Sequence, residues 1–394
     1  MSTTNQLSNF LAGASLKHPT PADGQLVLDS RDGSTSALIP TPRSSNHAPS
    51  IASLADGSFI VAWFGGSDEG NQDIDIIVSR FDPESGTWTD AHAVTGDKVN
   101  SDQNPGIFVN REDDIWLLYT SQVSRQAGIP EDFNLQFTAV VRRIRSADGG
   151  RTWSQPEDYF DRPGTFARQP IQRLSNGRLV HGQWLCFDDD SKNGSDQPVV
   201  AFSDDEGETW TWADFPDGHG RVHPNIVELD GGKLLCFFRS RWADWVYISR
   251  SDDFGQTWTT PIATDIPNNN AGISALKLPS GRIAVFSNEE QVNTGPGEVI
   301  WPYERTKLTV RVSSDEGTTW PVGRAVEAGD GYSGAANSRS NRRHEYPHAI
   351  LDSTGRIHVA WAYQSRRAIM HRSFTEDWID GTPDNVHTDC KLWG

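Results

Sequence analysis

An eight-residue pattern, S-x-D-x-G-x-T-W, occurs four times and constrains the fold of this chain more than any other feature. The copies are Ser146 to Trp153 (SADGGRTW), Ser203 to Trp210 (SDDEGETW), Ser251 to Trp258 (SDDFGQTW) and Ser313 to Trp320 (SSDEGTTW). A decayed copy, SRFDPESGTW, runs from Ser79 to Trp88, and a weaker one, SFTEDW, ends at Trp378. The chemistry is that of a tight turn. The Asp carboxylate accepts backbone N–H groups, the Gly allows positive φ, and the Trp lays its apolar face on the sheet. Asp148, Asp205, Asp253 and Asp315 are therefore read as turn residues, with calcium at these loops as the competing functional reading.

Strand-like alternation leads into each copy, as in VVRRIRS, PVVAFS, WVYISRS and LTVRVSS. An upstream run of Gly followed by apolar residues accompanies it: ADGSFIVAWF, SNGRLVHGQW, DGGKLLCFF, PSGRIAVFS, STGRIHVAW. Repeats of this length suit one four-stranded blade each. The count predicts an all-β, six-bladed β-propeller over 45–394, with 1–44 as an N-terminal arm or lead-in strand that closes the ring. No long amphipathic helix is predicted.

Composition narrows the function classes. With 53 acidic against 35 basic residues and a formal charge of −18, the chain has the wrong balance for a nucleic-acid partner. No stretch nears ~18 consecutive apolar residues, so no membrane helix is predicted. Three widely spaced cysteines, Cys186, Cys236 and Cys390, do not suggest a disulfide framework. CxxC and HExxH patterns are absent, so neither a metal nor another cofactor is expected, although DDDSKNGSD (Asp188 to Asp196) carries a weak calcium possibility. The N-terminus lacks a basic region followed by an apolar one, which predicts a cytoplasmic protein, or a secreted one whose leader has been removed.

Four segments carry a resemblance to a known family: the repeated octads, HAPSIASLADGSFIVAWFGGSDEGNQDIDIIVSR, NNNAGISALKLPSGRIAVFSNEE and EYPHAILDSTGRIHVAWAYQSRRAIMH. From about Asn46 onward the chain resembles the sialidase (neuraminidase) superfamily, in which the octad is the Asp box. That resemblance implies three arginines holding a substrate carboxylate, a Tyr nucleophile activated by a Glu, and an Asp as acid/base. A phenol suits this task, because a carboxylate nucleophile would repel a substrate bearing its own carboxylate.

By position, Tyr346 in HEYPHAI matches the nucleophile. Alternation in an extended strand puts His344 on the same face and points Glu345 away. Arg239 in LLCFFRSRW and Arg305 in YERTKLTVRVSS match two of the arginines, with Arg241 a rival for the first. Both are expected at the start of a strand leading into an Asp box, facing the central channel. Asp68, in the Gly-rich loop FGGSDEGNQD, matches the acid/base, with Glu69 and Asp73 as rivals. Two positions depart from the family. The first blade carries Asn46-His47-Ala48-Pro49 where the family has Arg-Ile-Pro, so His47 stands at the arginine. His223 stands where the activating glutamate is expected; a neutral His can accept a phenolic proton. Arg168 in FARQPIQRL is expected to line the same channel, and Asn104-Pro105 opens the second blade similarly. Trp184, Trp242, Trp245 and Trp301 are candidates for sugar stacking, and Arg342-Arg343 reads as a solvated basic spot.

The set of Tyr, two Arg and two His suits an acidic glycan. The leading expectation is an exo-acting hydrolase of the sialidase type, with Tyr346, Asp68 and His223 catalytic and Arg239, Arg305, His47 and Arg168 binding substrate. A lyase or other glycosidase on uronate-containing glycans is the second expectation, and a non-catalytic glycan-binding propeller the third. Oligomeric state is not legible.

Overall fold

A computed structural model describes residues 22–125, 135–189, 191, 193–302, 305–328 and 343–381. Six antiparallel sheets follow one another along the chain as the six blades of a propeller. The innermost strands, in order, are Ser45–Ser53, Asn100–Val109, Thr165–Ala167 with Gln172–Arg173, Arg221–Glu228, Ser274–Lys277 and Glu345–Leu351. The sixth blade takes its fourth strand from the other end of the chain: Thr35–Ile39 pairs with Ala368–Phe374, and Val27–Leu28 adds a fifth. One short helix, Glu376–Asp380, follows the last blade strand. Among the described residues no helix is long and apolar enough to cross a membrane.

The apolar core lies between blades rather than at the axis. Each of six large clusters is built mainly from two adjacent sheets, one of them also taking in Tyr346 of the sixth. Ile60, Ala62 and Val78 of the first blade, for example, meet Ile107, Ile115 and Leu117 of the second. Both faces of each sheet are thereby covered, which explains strands such as Phe59–Gly66 that are buried at every position.

The octads are built as their chemistry requires. In the first, Asp148 Oδ1 accepts from Ser146 Oγ at 2.8 Å and from the backbone N–H of Arg151 and Thr152 at 2.9 Å each, while Oδ2 accepts from Thr152 Oγ1 at 2.6 Å. Gly150, Gly207, Gly255 and Gly317 hold φ of 84°, 86°, 82° and 82°. A Cβ on Gly207 would fall 2.6 Å from the Tyr159 hydroxyl and 3.0 Å from the Trp116 ring, both in the preceding blade. These turns pin one sheet to the next.

A second repeat runs around the axis. The ladder between the inner strand and its neighbour shifts register at His47/Ser50, Gln103/Gly106, Val222/Asn225 and Glu345/His348. At each shift a residue in the left-handed region precedes a proline: Ala48 (φ 50°), Asn104 (48°), His223 (57°) and Tyr346 (58°). Residues before proline favour extended backbone, so four such positions are costly and persist only where the surroundings enforce them. The bulges at His47-Ala48, His223 and Tyr346 bring the rings of His47, His223 and Tyr346 together at the axis.

Candidate active site

The bulge at Glu345-Tyr346-Pro347 centres the site. Tyr346 is 8% exposed and Arg239 2%. Arg239 Nη1 donates to the Tyr346 hydroxyl oxygen and, at 3.2 Å, to His223 Nε2, while its Nε donates to Asn270 Oδ1 at 2.6 Å. Because His223 Nε2 accepts from a guanidinium, the ring proton of His223 sits on Nδ1. His47 lies on the other side of the phenol, with ring centroids 4.0 Å apart, and His223 is at 5.5 Å, stacked on Trp184 at 4.7 Å. Burial first, then nearby cations (Arg366 for His47, Arg239 for His223), push both histidines well below their ordinary value, so both are neutral at pH 7.

Glu345 belongs to this cluster, contrary to strand alternation. The register shift puts Glu345 and Tyr346 both at the axis, and His344 goes instead against the Tyr363 ring at 4.7 Å. Glu345 is fully buried. Its Oε2 accepts from Arg305 Nη1 at 2.6 Å and its Oε1 from Arg366 Nε at 3.0 Å, with His47 Nδ1 3.8 Å away. Burial opposes its charge, but Arg366 and Arg305 outweigh that and hold the carboxyl well below the usual carboxylate range. Arg305 also donates from Nη2 to the Asn270 carbonyl at 2.7 Å.

Several expected positions are placed differently. Arg239 ends the second strand of its blade, Leu234–Ser240, and does not start the strand before the Asp box. Arg241 is no surface pair: it is buried against Asp196 at 2.6 Å, which leaves the axis to Arg239. Arg168 is fully buried and donates to the carbonyls of Pro49 (2.9 Å), Tyr346 (3.3 Å) and Pro347 (3.5 Å), tying three blades together below the phenol. It supports the site and is closed to a ligand. Asp68 points outward, its side chain 60% exposed and paired with Arg125. Asp73 holds Ser67 inside the same loop. Of the three loop acids, Glu69 reaches the cluster, pairing with Arg366 Nη1 at 2.7 Å. Trp184 lies under His223 and Trp242 under Arg221 (3.8 Å); Trp245 is half-buried and Trp301 is 44% exposed. Arg342 lies outside the described residues, and Arg343 stands 3.9 Å from Glu345.

Glu345, Asn270 and Arg366 are the members that sequence reasoning missed. The repeated residue-plus-proline at the start of four blades was the available signal for the first. Arg366 had none, because it arrives from a hairpin turn.

Along the inner strands beyond the bulges, a cavity of about 430 Å³ opens, lined by Ile51, Ile107, Ile226, Leu276, His348 and Ile350 among others. It holds none of the phenol cluster. Among the described residues no three His, Cys, Asp or Glu side chains converge as metal ligands.

Six blades around a buried Tyr–Arg–His axis define a sialidase-like propeller. The chain belongs to the BNR repeat-like domain family, whose model matches residues 57–359. It is 26% identical to a sialidase of Micromonospora viridifaciens over 355 residues, covering 81% of this chain and 51% of that protein. The chain thus spans about half the length of that relative. Among solved structures it resembles the Hadza microbial sialidase Hz136 (TM-score 0.66, 18% identity, covering 86% of this chain and 67% of that one). It also resembles a Dyadobacter fermentans protein of unknown function (TM-score 0.64, 17% identity, 86% and 97%).

Proposed function

We propose that the protein is an exo-acting glycoside hydrolase of the sialidase type that removes a terminal acidic sugar, with Tyr346 as nucleophile. One observation carries the reading: the Tyr346 hydroxyl sits on the axis bonded to the Arg239 guanidinium. A phenolate formed at that oxygen, its proton passing to the neutral His223 beside the ring, would face a fixed cation in a water-poor setting, where such an interaction is strong. The relatives named sialidase support the same class. Glu345 serves to hold Arg305 and Arg366 in place. The proton donor to the leaving group is assigned to the loop 67–73, which carries Asp68 and Glu69.

The test is a panel of fluorogenic acidic glycosides. Sialoside hydrolysis by the native protein, with a loss of at least about 10³-fold in Tyr346→Phe, is the expected result. No hydrolysis of any acidic glycoside overturns it.

One observation favours a second reading, a lyase on uronate-containing glycans. Among the described residues no carboxylate bonds the Tyr346 hydroxyl; a guanidinium bonds it and two neutral histidines flank the ring. Arg239 would neutralise the uronate carboxylate, and Tyr346 with a histidine would move the proton. Ultraviolet-absorbing product from uronate polymers, with sialosides untouched, would select this reading.

A further inference from the structure

Arg366 is delivered to the site by an unusual turn. Between Ile357–Tyr363 and Ala368–Phe374, three consecutive residues lie in the left-handed region: Gln364 (φ 48°), Ser365 (57°) and Arg366 (69°). Side-chain-bearing residues visit that region singly, so a run of three is strained, and strain of this kind concentrates at working sites. The turn is fastened beside His47: the Arg366 carbonyl accepts from Asn46 N–H at 2.7 Å and from Asn46 Nδ2 at 3.2 Å.

The guanidinium then meets two unlike carboxylates. Glu345 takes Nε, is fully buried, and is held also by Arg305. Removing it would take the carboxylate from Arg305 and leave Arg366 with Glu69 alone. Glu69 takes Nη1 from the outer side, is 28% exposed, and sits in a loop with Gly65, Gly66 and Gly70 around it. Arg366 is its one ion-pair partner among the described residues. Glu69 is the carboxylate that can leave. Arg305 differs in that its carboxylate partner, Glu345, is itself fully buried and held by a second arginine.

We propose that Arg366 is the second arm of the anion-binding site beside Arg239, and that Glu69 is a built-in competitor that holds this arm until a substrate anion displaces it. The inference rests on the acidic-glycan reading above and names which residues read the acid. Exchanging one carboxylate for another on Arg366 keeps the local charge balanced, whereas a neutral sugar has nothing to offer in exchange. Glu69 thereby selects against uncharged glycans, and a carboxylate or a sulfate ester has the required chemistry.

Calorimetric titration of the full chain with N-acetylneuraminate, D-glucuronate, inorganic sulfate and, as an uncharged control, D-galactose tests this. Glu69→Gln should bind the anionic probes about tenfold more tightly than the native protein, and Arg366→Met at least about tenfold more weakly. Should Arg366→Met fail to melt cooperatively, Arg366→Lys serves, since it keeps the charge without the fork. Arg125→Gln releases Asp68 and Asn71 of the loop from their guanidinium partner while leaving Glu69 in place, and should keep the native affinity. Equal tightening in Arg125→Gln would assign the effect to loop mobility and overturn the proposal; so would tightening toward galactose. Native binding of an acidic sugar with no gain in Glu69→Gln overturns the competitor alone and leaves the functional reading standing. If neither acidic sugar nor sulfate binds any form, both fall. Preference for the acidic sugars over sulfate would identify a carboxylate as the anion, and the reverse a sulfate.

Discussion

Glu345 shows how much a buried charge can rest on its partners. It neutralises Arg305 and Arg366 at once, in a setting that water does not reach. Glu345→Gln keeps the shape and removes the charge, leaving two guanidiniums in the interior. Breaking a buried pair in this way costs about 3–5 kcal/mol, and we expect a loss of that size in urea unfolding. Tyr346→Phe should by contrast leave stability within about 1 kcal/mol of native, because only one hydroxyl contact goes while the ring stays packed. An equal loss for the two substitutions would mean that the phenol is a structural member of the network.

At the scale of elements, the blade contacts are set by glycines whose absent side chains make room for the neighbouring sheet. Gly182, in the strand Leu179–Leu185, faces the backbone of Pro224 in the next blade, and a Cβ there would collide with the Pro224 carbonyl oxygen. Gly207 of the second octad faces the Tyr159 hydroxyl and the Trp116 ring. Backbone at a bulge cannot step aside, whereas a side-chain hydroxyl can. Gly182→Ala should therefore abolish soluble folded protein or lower the melting temperature far more than Gly207→Ala. The latter pays mainly the left-handed conformation, about 1–2 kcal/mol. Thermal melts of the two variants, read by circular dichroism, check the order. The octads were legible in sequence because their spacing is local and invariant. The axial bulges were not, since a residue before proline reads as extended unless the neighbouring strand's register is known.

For the whole molecule, two properties follow from ring closure and from buried histidines. Thr35–Ile39 completes the sixth blade, so a chain beginning at Ser45 would expose the edge of Ala368–Phe374 and the apolar surface under it. Such a chain should aggregate or lose its cooperative melt; an intact melt would show that the arm is dispensable. His47, His223 and His371 are pushed well below 6.5 by burial, His181 to about 4 and His348 to about 3, and His358 is also lowered. In each case the unfolded chain takes up a proton, near pH 6.5, before the folded one does. Stability is therefore complete above that pH and falls as acid is added, up to about 1.4 kcal/mol per pH unit for each such group. The denaturation midpoint should drop steeply from pH 6.5 toward 4. A flat profile over that range would contradict neutral burial of these rings.

By itself the sequence determined the ring of blades, its number of sheets, the octad turns within them and the strand that carries Tyr346. These depend on local periodicity and turn chemistry, which a linear pattern records. Only the tertiary structure decided which side chains share the axis. It put Glu345 at the centre, made Arg168 a strap beneath the phenol, turned Asp68 out to Arg125 and brought Arg366 in from a hairpin turn of the last blade. The physical reason is that one shifted residue in a ladder reverses a side chain's direction. Charges also choose partners by distance through space, across blades that lie far apart in the chain.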